Sequence, residues 1–432
     1  MEQFIIEGGF PLSGTVQPSG NKNAALPMLA ACLLTEEPVT LKNIPDIKDV
    51  SSMRLLLENM GVFIKDIGNN SIIVHAKKIH TTEFDPDRCR EIRASILLAG
   101  PALARCGELT LHPPGGDVIG RRRVDTHFLA LRALGAKTEY DQSKREFLFQ
   151  ADKLVGKEII LDEASVTATE NAIMAAVTAE GETILRNAAS EPHIQELCQF
   201  LNKLGARISN IGSNKLNIQG VNKLGGGEFT IGSDYLEVVS FIGAAVVTKG
   251  SIRIQNASPQ YLDMISMVFN RLGVNWEIEG EDIFVPEEQR LSVEPDLGNA
   301  IPEITVMPWP AFPTDLMSIA IVVATQSNGS VLFHDWMYPS RMFFIDKLVS
   351  MGAQIVLCDP HRCIVNGPSD LAGEILESPD IRAGMSLLLA ALAARGTSII
   401  RNISQIDRGY DSVDKKLRAL GARIKRIDGG LQ

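Results

Sequence analysis

The chain has 432 residues, too many for one ordinary hydrophobic core, so two domains are expected. Hydrophobic residues make up 45% and charged residues 22%, a balance that fits a soluble globular protein. The net charge of −10 excludes a broad basic field for nucleic acid, so any anionic ligand needs a local cluster of arginine and lysine.

The N-terminus, MEQFIIEGGF, has no basic stretch leading into an apolar run and a small-residue cleavage site, so no signal peptide is expected. No run of about 18 apolar residues is free of charges or breakers, and no membrane insertion is expected. The longest apolar runs lie near Ile319–Ala324 and Leu387–Ala394. Six cysteines (Cys32, Cys89, Cys106, Cys198, Cys358 and Cys363) are scattered, without a C-x-x-C pair or a cysteine–histidine cluster of zinc spacing. That predicts no metal site, reduced thiols and a cytoplasmic location. Cys358 and Cys363 flank Asp359-Pro360-His361, a turn between strands, and read as packing residues.

Taken in chain order, the elements repeat. A helix end, a glycine and a strand recur as LLLENMGVFI, FLALRALGAKTEY, FLNKLGARI, VFNRLGVNWEI, KLVSMGAQIVL and KLRALGARIKRI. The glycines are Gly61, Gly135, Gly205, Gly273, Gly352 and Gly421, at successive spacings of 74, 70, 68, 79 and 69 by subtraction. Each stands where a helix ends in a left-handed residue. A second signature precedes each copy: a very apolar helix, a turn, a strand and usually an asparagine, as in LPMLAACLLTEEPVTLKN and MSLLLAALAARGTSIIRN. A helix apolar on nearly every face is buried on all sides, so strands are expected outside and helices inside. Six units of this length predict two lobes of three. Leu224-Gly225-Gly226-Gly227 reads as the linker in the middle. The N-terminal strand is expected to complete the C-terminal lobe.

The stretch Pro113–Asp125, PPGGDVIGRRRVD, carries three glycines, a lone acid at Asp117 and the arginines Arg121, Arg122 and Arg123. A glycine-rich loop with one carboxyl beside guanidinium groups suits proton transfer to an anionic substrate; its plain alternative is a surface turn with a solvated basic patch.

With these motifs in place, the sequence resembles the enolpyruvyl transferase family. The matching segments are PSGNKNAALP (18–27), IRAS (92–95), PGGDVIGRR (114–122), AFPTD (311–315), SRMF (340–343), DIRA (380–383) and IDRGY (406–410), in the family's order across nearly the whole chain. They lie closer to the branch that acts on UDP-N-acetylglucosamine than to the shikimate 3-phosphate branch. The resemblance implies an α/β fold, a two-lobe inside-out α/β barrel of six βαβαββ repeats with buried helices. It implies one lobe of residues 22–230, a second of 1–21 plus 231–432, and an active site in the cleft between them.

The implied reaction moves the enolpyruvyl group of phosphoenolpyruvate to the sugar 3-hydroxyl and releases phosphate, by addition and elimination. It is the first committed step of peptidoglycan synthesis and so bears on cell-wall biogenesis, cell shape and division. No cofactor is implied. By the same resemblance Lys22 and Arg408 hold phosphate and developing charge, and Asn23 hydrogen-bonds substrate. Arg122, Arg341 and Arg382 clamp anions. Asp315 serves the reacting hydroxyl, with Thr314 expected to cap the helix that follows. Val124, Asp125, Ser165, Val166 and Met337 fall among substrate-contacting positions. Arg93 and Asp49 match too, as ligand contacts or as structural ion partners. Asp117 stands where most members carry a cysteine proton donor, so it is expected to act as the general acid and to confer fosfomycin resistance. Glu163, where many members have a lysine, and Arg123, in place of a proline, keep a different acceptor open; Pro339 and Gln405 also depart. Arg123 is a cation that would compensate for the missing lysine. A non-catalytic relative is the remaining alternative.

Overall fold

All six repeat glycines have positive φ, from 82° at Gly273 to 105° at Gly135 and Gly205, in the computed structural model, which describes residues 2–117, 119–120 and 122–428. A side chain there would crowd the neighbouring carbonyl, so each glycine lets the chain turn from helix to strand. The second signature ends the same way. Asn43, Asn187, Asn256 and Asn402 have φ of 58°, 56°, 48° and 55°. Asparagine tolerates this region because its short amide bonds locally. Three of these amides reach a backbone carbonyl: Asn43 to Ile231 at 2.9 Å, Asn187 to Leu161 at 3.0 Å and Asn402 to Ser378 at 3.0 Å.

The chain divides into two compact units. The first consists of Gly20–Asp117 and Arg122–Gly232; the second holds the remaining described residues. In the first unit, Val39–Lys42, Phe63–Gly68, Ser71–His75 and Gly227–Thr230 form one sheet. Glu158–Ile160, Glu182–Arg186, Arg207–Ser209 and Lys215–Gln219 form another, and Glu108–Leu111, Lys137–Asp141 and Glu146–Gln150 a third. The helices Lys22–Ala31, Ala99–Cys106 and Val166–Ala176 are buried over most of their length.

The second unit repeats this plan. Its N-terminal strand Glu2–Glu7 lies antiparallel between Thr397–Arg401 and Arg423–Asp428, with Ile5 opposite both Ile399 and Lys425. Alternation puts Phe4 and Ile6 inward, fully buried. Ser13–Val16 adds in parallel to Ser251–Ile254. The helices Tyr235–Val247 and Met317–Ala324 are buried at every residue, and Ile381–Ala393 at all but its last. These three pack on one another. Gly243 lets them close: a Cβ there would lie 2.9 Å from Leu389 Cδ2 and 3.0 Å from Ile319 Cγ2. Each buried Leu or Ile of this core contributes about 1.5–3 kcal/mol.

Two sequence expectations need correction. Leu224–Gly227 is not a linker. Gly227–Thr230 pairs in parallel with Val39–Lys42, and a Cβ on Gly226 would fall 2.5 Å from Pro38 O, so the glycines serve close packing inside the first unit. Cys363 is fully buried as a packing residue, but Cys358, on the paired strand Ile355–Asp359, is exposed.

Candidate active site

In the first unit, Lys22 opens the buried helix Lys22–Ala31. Asn21 caps it, its Oδ1 accepting the N–H of Asn23 at 2.8 Å and of Ala24 at 3.2 Å. This places Lys22 in the first turn, where helix N–H groups favour an anion. Lys22 is buried, and its Nζ lies 2.6 Å from Oδ2 of Asp49, also buried, at the start of Lys48–Asn59. The ammonium is thus held in one place by a carboxylate 27 residues away, and the match at Asp49 has a structural partner. Asn23 is half-buried beside it.

The loop carrying Asp117 is shaped by close approaches. A Cβ on Gly115 would fall 1.7 Å from Arg90 O. Gly116, at φ 105°, would place one 2.9 Å from Arg93 Cβ and 3.6 Å from Arg122 Nη1. Arg93 Nη2 donates to the carbonyls of Arg122 and Arg123 at 3.1 and 2.8 Å, fastening the far side of the loop. Asp117 and Arg122 are half-buried, while Val118 and Arg121 lie outside the described residues. Arg123 is exposed and ion-pairs with Asp125 at 3.1 Å and Asp162 at 3.0 Å. The hydrogen bond from Arg123 to Asp125 raises the guanidinium pKa, and the Thr126 hydroxyl, 2.7 Å from Asp162, lowers that of Asp162. The cation expected to make up for Glu163 is therefore engaged with two carboxylates.

Val124 packs partly on the unit's core, and Asp125 begins the helix Asp125–Ala133. Ser165 and Val166 start the buried helix Val166–Ala176; both are half-buried, and the Ser165 side chain makes no capping bond.

In the second unit, Asp315 sits in the 3₁₀ turn Thr314–Leu316 ahead of Met317–Ala324. Arg341 Nη2 lies 2.9 Å from its Oδ1, and Arg382 Nε 3.2 Å from its Oδ2. Both arginines are buried, while Asp315 keeps about a third of its side chain accessible, 30%. Burial opposes the charge on Arg341, but Asp315, Asp380 and Asp335 outweigh it and raise its pKa. Arg382 is raised likewise against burial, with Asp315 the largest supporting charge. Asp380 caps the helix Ile381–Ala393, accepting from the N–H of Arg382 and of Ala383 at 2.8 and 3.0 Å, so Arg382 stands in the first turn.

Arg408 closes the 3₁₀ turn Ile403–Arg408, where its Nη1 bonds Gln405 Oε1 at 3.0 Å. Its neighbour Asp407 pairs with Arg426 at 2.5 Å. Met337 is half-buried, its N–H 3.0 Å from Asp335 Oδ1.

The geometry corrects the reading of Thr314. Its hydroxyl does not cap the following helix; it donates to Asp335 Oδ2 at 2.5 Å. Asp335, fully buried and pushed up in pKa by that burial, has no local signal in the sequence, because nothing in HDWMYP marks its partner 21 residues earlier. Tyr410 was visible only as the end of IDRGY. It is buried with its ring under Arg382, 5.6 Å from centroid to guanidinium, and its hydroxyl 3.1 Å from Ser240 Oγ. The second unit thus gathers two buried cations on one carboxylate, Asp315, and the first holds Lys22 against Asp49, cationic groups of the kind that bind anions.

Comparison with known proteins follows the same lines. The family model for EPSP synthase (3-phosphoshikimate 1-carboxyvinyltransferase) matches residues 6–417. A Treponema denticola protein named UDP-N-acetylglucosamine 1-carboxyvinyltransferase is 55% identical over 425 residues, covering 98% of this chain and 99% of its own. A Bradyrhizobium diazoefficiens protein of the same name is 55% identical over 426 residues, covering 98% of each. Among solved structures, the enolpyruvyl transferase NikO from Streptomyces tendae superposes with a TM-score of 0.87 at 23% identity, covering 99% of both chains; at that identity it speaks to the fold alone. With a model match and relatives that both run nearly end to end, the chain belongs to the enolpyruvyl transferase family, which includes EPSP synthase and UDP-N-acetylglucosamine 1-carboxyvinyltransferase.

Proposed function

We propose that the protein transfers the enolpyruvyl group of phosphoenolpyruvate to the 3-hydroxyl of UDP-N-acetylglucosamine and releases phosphate, the committing step of peptidoglycan synthesis. Asp315 held between Arg341 and Arg382 is the observation that carries this reading. Two guanidinium groups fix the carboxylate's direction and leave part of it accessible, as a base for a substrate hydroxyl requires.

The steps follow from the groups present. Asp117, carrying a proton, gives it to the methylene carbon of phosphoenolpyruvate. Asp315 takes the proton of the sugar hydroxyl, whose oxygen bonds to the central carbon. Lys22, Arg122, Arg382 and Arg408 balance the phosphate and carboxylate charges, and loss of a proton from the new methyl group with expulsion of phosphate restores the double bond. Asn23, Arg93, Val124, Asp125, Ser165, Val166, Met337 and Arg341 bind and orient the substrates. We read each unit as three βαβαββ repeats of an inside-out barrel, supported by the buried helices and half-exposed strands. We place the reaction in the cytoplasm, in keeping with six free cysteines. No described helix is long and apolar enough to cross a membrane.

The test is phosphate release from phosphoenolpyruvate with UDP-N-acetylglucosamine, against shikimate 3-phosphate. Turnover with the UDP sugar alone is expected. A second reading, another hydroxyl acceptor, is favoured by Glu163 and by the engagement of Arg123 with Asp125 and Asp162; it predicts no turnover with either of the two.

A further inference from the structure

We infer that Asp335 is a positioning residue that sets the geometry of Asp315 and Arg341 together; the inference rests on the enolpyruvyl-transfer reading above. Asp335 follows the strand Gly329–His334 and is 0% exposed. Its backbone is fixed on both sides by His361: the Asp335 N–H donates to His361 O at 2.8 Å, and Asp335 O lies 2.7 Å from His361 Nδ1. Its carboxylate then faces two segments. Oδ2 accepts the Thr314 hydroxyl at 2.5 Å. Oδ1 accepts the N–H groups of Met337 and Tyr338 at 3.0 and 3.3 Å.

These two segments are the ones that matter for the pair. Thr314 immediately precedes Asp315, and the Met337–Tyr338 turn leads into Arg341, whose guanidinium lies 5.4 Å from the Tyr338 ring centroid. A threonine that caps a helix accepts a backbone N–H of the first turn with its hydroxyl oxygen. Here the hydroxyl goes to a buried carboxylate on another segment, so the direction of Asp315 is set by tertiary structure. Asp335 uses all three of these acceptor contacts to hold backbone and hydroxyl groups, and it acts through them rather than on substrate. A base displaced by a fraction of an ångström from its hydroxyl loses rate without losing affinity for the other substrate.

The experiment compares steady-state phosphate release by the wild type, Thr314→Val, Thr314→Ser, Asp335→Asn and the Thr314→Val/Asp335→Asn double variant, each corrected for folded fraction by circular dichroism. Thr314→Val and Asp335→Asn should each lower kcat by about 10-fold or more while the KM for phosphoenolpyruvate stays within about 2-fold. Thr314→Ser should restore kcat, and the double variant should be no worse than the poorer single, because both alter the same Thr314–Asp335 contact. Unchanged kcat in Thr314→Val, additive losses in the double variant, or losses explained wholly by unfolded protein would each overturn the inference. An inactive wild type would sink the acceptor reading and this inference with it; an active wild type with an indifferent Thr314→Val sinks this inference alone.

Discussion

Arg341 approaches Asp315 to 2.9 Å with its side chain 2% exposed, so the proposed base is held by a cation almost wholly withdrawn from water. Removing Asp315 leaves Arg341 with Asp380 at 3.9 Å as its remaining close carboxylate. Asp315→Ala is expected to cost about 3 kcal/mol of stability, the scale for breaking a buried ion pair from one side. Asp315→Asn, which keeps the shape, should cost less stability but lower kcat about 100-fold or more. Urea unfolding and phosphate release on the two variants separate the effects; equal kcat for Asp315→Asn and wild type would remove Asp315 from the chemistry.

Asp117 has the opposite setting, in a glycine-rich loop held by Arg93. With a carboxyl there, fosfomycin has no thiolate to alkylate, and the wild type should retain activity after prolonged exposure. Asp117→Ala should abolish turnover. Asp117→Cys should keep measurable turnover and become covalently inactivated, seen as a mass increase of one inhibitor molecule. Rapid inactivation of the wild type would refute the assignment.

Glu170 gives a stability signature on the neutral side of pH. Its carboxyl is 1% exposed, and Oε1 has no hydrogen-bond partner. Burial first, then the charge of Glu191, push its pKa well above the usual 4.5. A folded pKa above the unfolded one means that its contribution is whole below 4.5 and declines as pH rises through the folded value. Between about pH 5 and 8 the wild type should therefore lose stability relative to Glu170→Gln. Melting curves of both proteins across this range measure it, and parallel curves would show that Glu170 titrates alike in both states.

His127 gives the acid counterpart. Gly100 N–H donates to Asn171 Oδ1 at 2.7 Å, which fixes the amide so that its Nδ2 faces His127 Nδ1 at 2.8 Å. Nδ1 must then accept, leaving the proton on Nε2 to donate to Thr167 Oγ1 at 3.1 Å. Burial, with Arg93 adding to it, lowers the imidazole pKa from 6.5 to about 3. The depressed value means stability is present above 6.5 and drains away as pH falls toward 3. At about pH 4.5 the loss attributable to this group should be on the order of 2 kcal/mol, and His127→Gln should show a shallower acid limb. Urea midpoints at pH 7 and 4.5 for both proteins test it.

How much was legible differs by kind of feature. The turns at Gly61 through Gly421 were readable because positive φ is a property of one residue and its neighbours, whereas the positive φ of Asn43, Asn187, Asn256 and Asn402 emerged only in the structure. The burial of Met317–Ala324 on every side was readable because no polar face exists to meet water. Thr314 misled, since its local signal for a cap lost to a buried carboxylate that no spacing rule could reveal. Gly225–Gly227 misled in the same way: a glycine run suits a linker and a close-packed strand start equally well.

Where helices end, which helices have no wet face and which cations and acids are available can be read locally, because backbone sterics and side-chain polarity act over a few residues. That Lys22 meets Asp49, that Asp315 lies between Arg341 and Arg382 and that Asp335 holds Thr314 is legible only in the folded chain. The entropy of closing a loop changes slowly with its length, so residues 21, 26 or 67 positions apart can meet almost equally well, and packing selects among them.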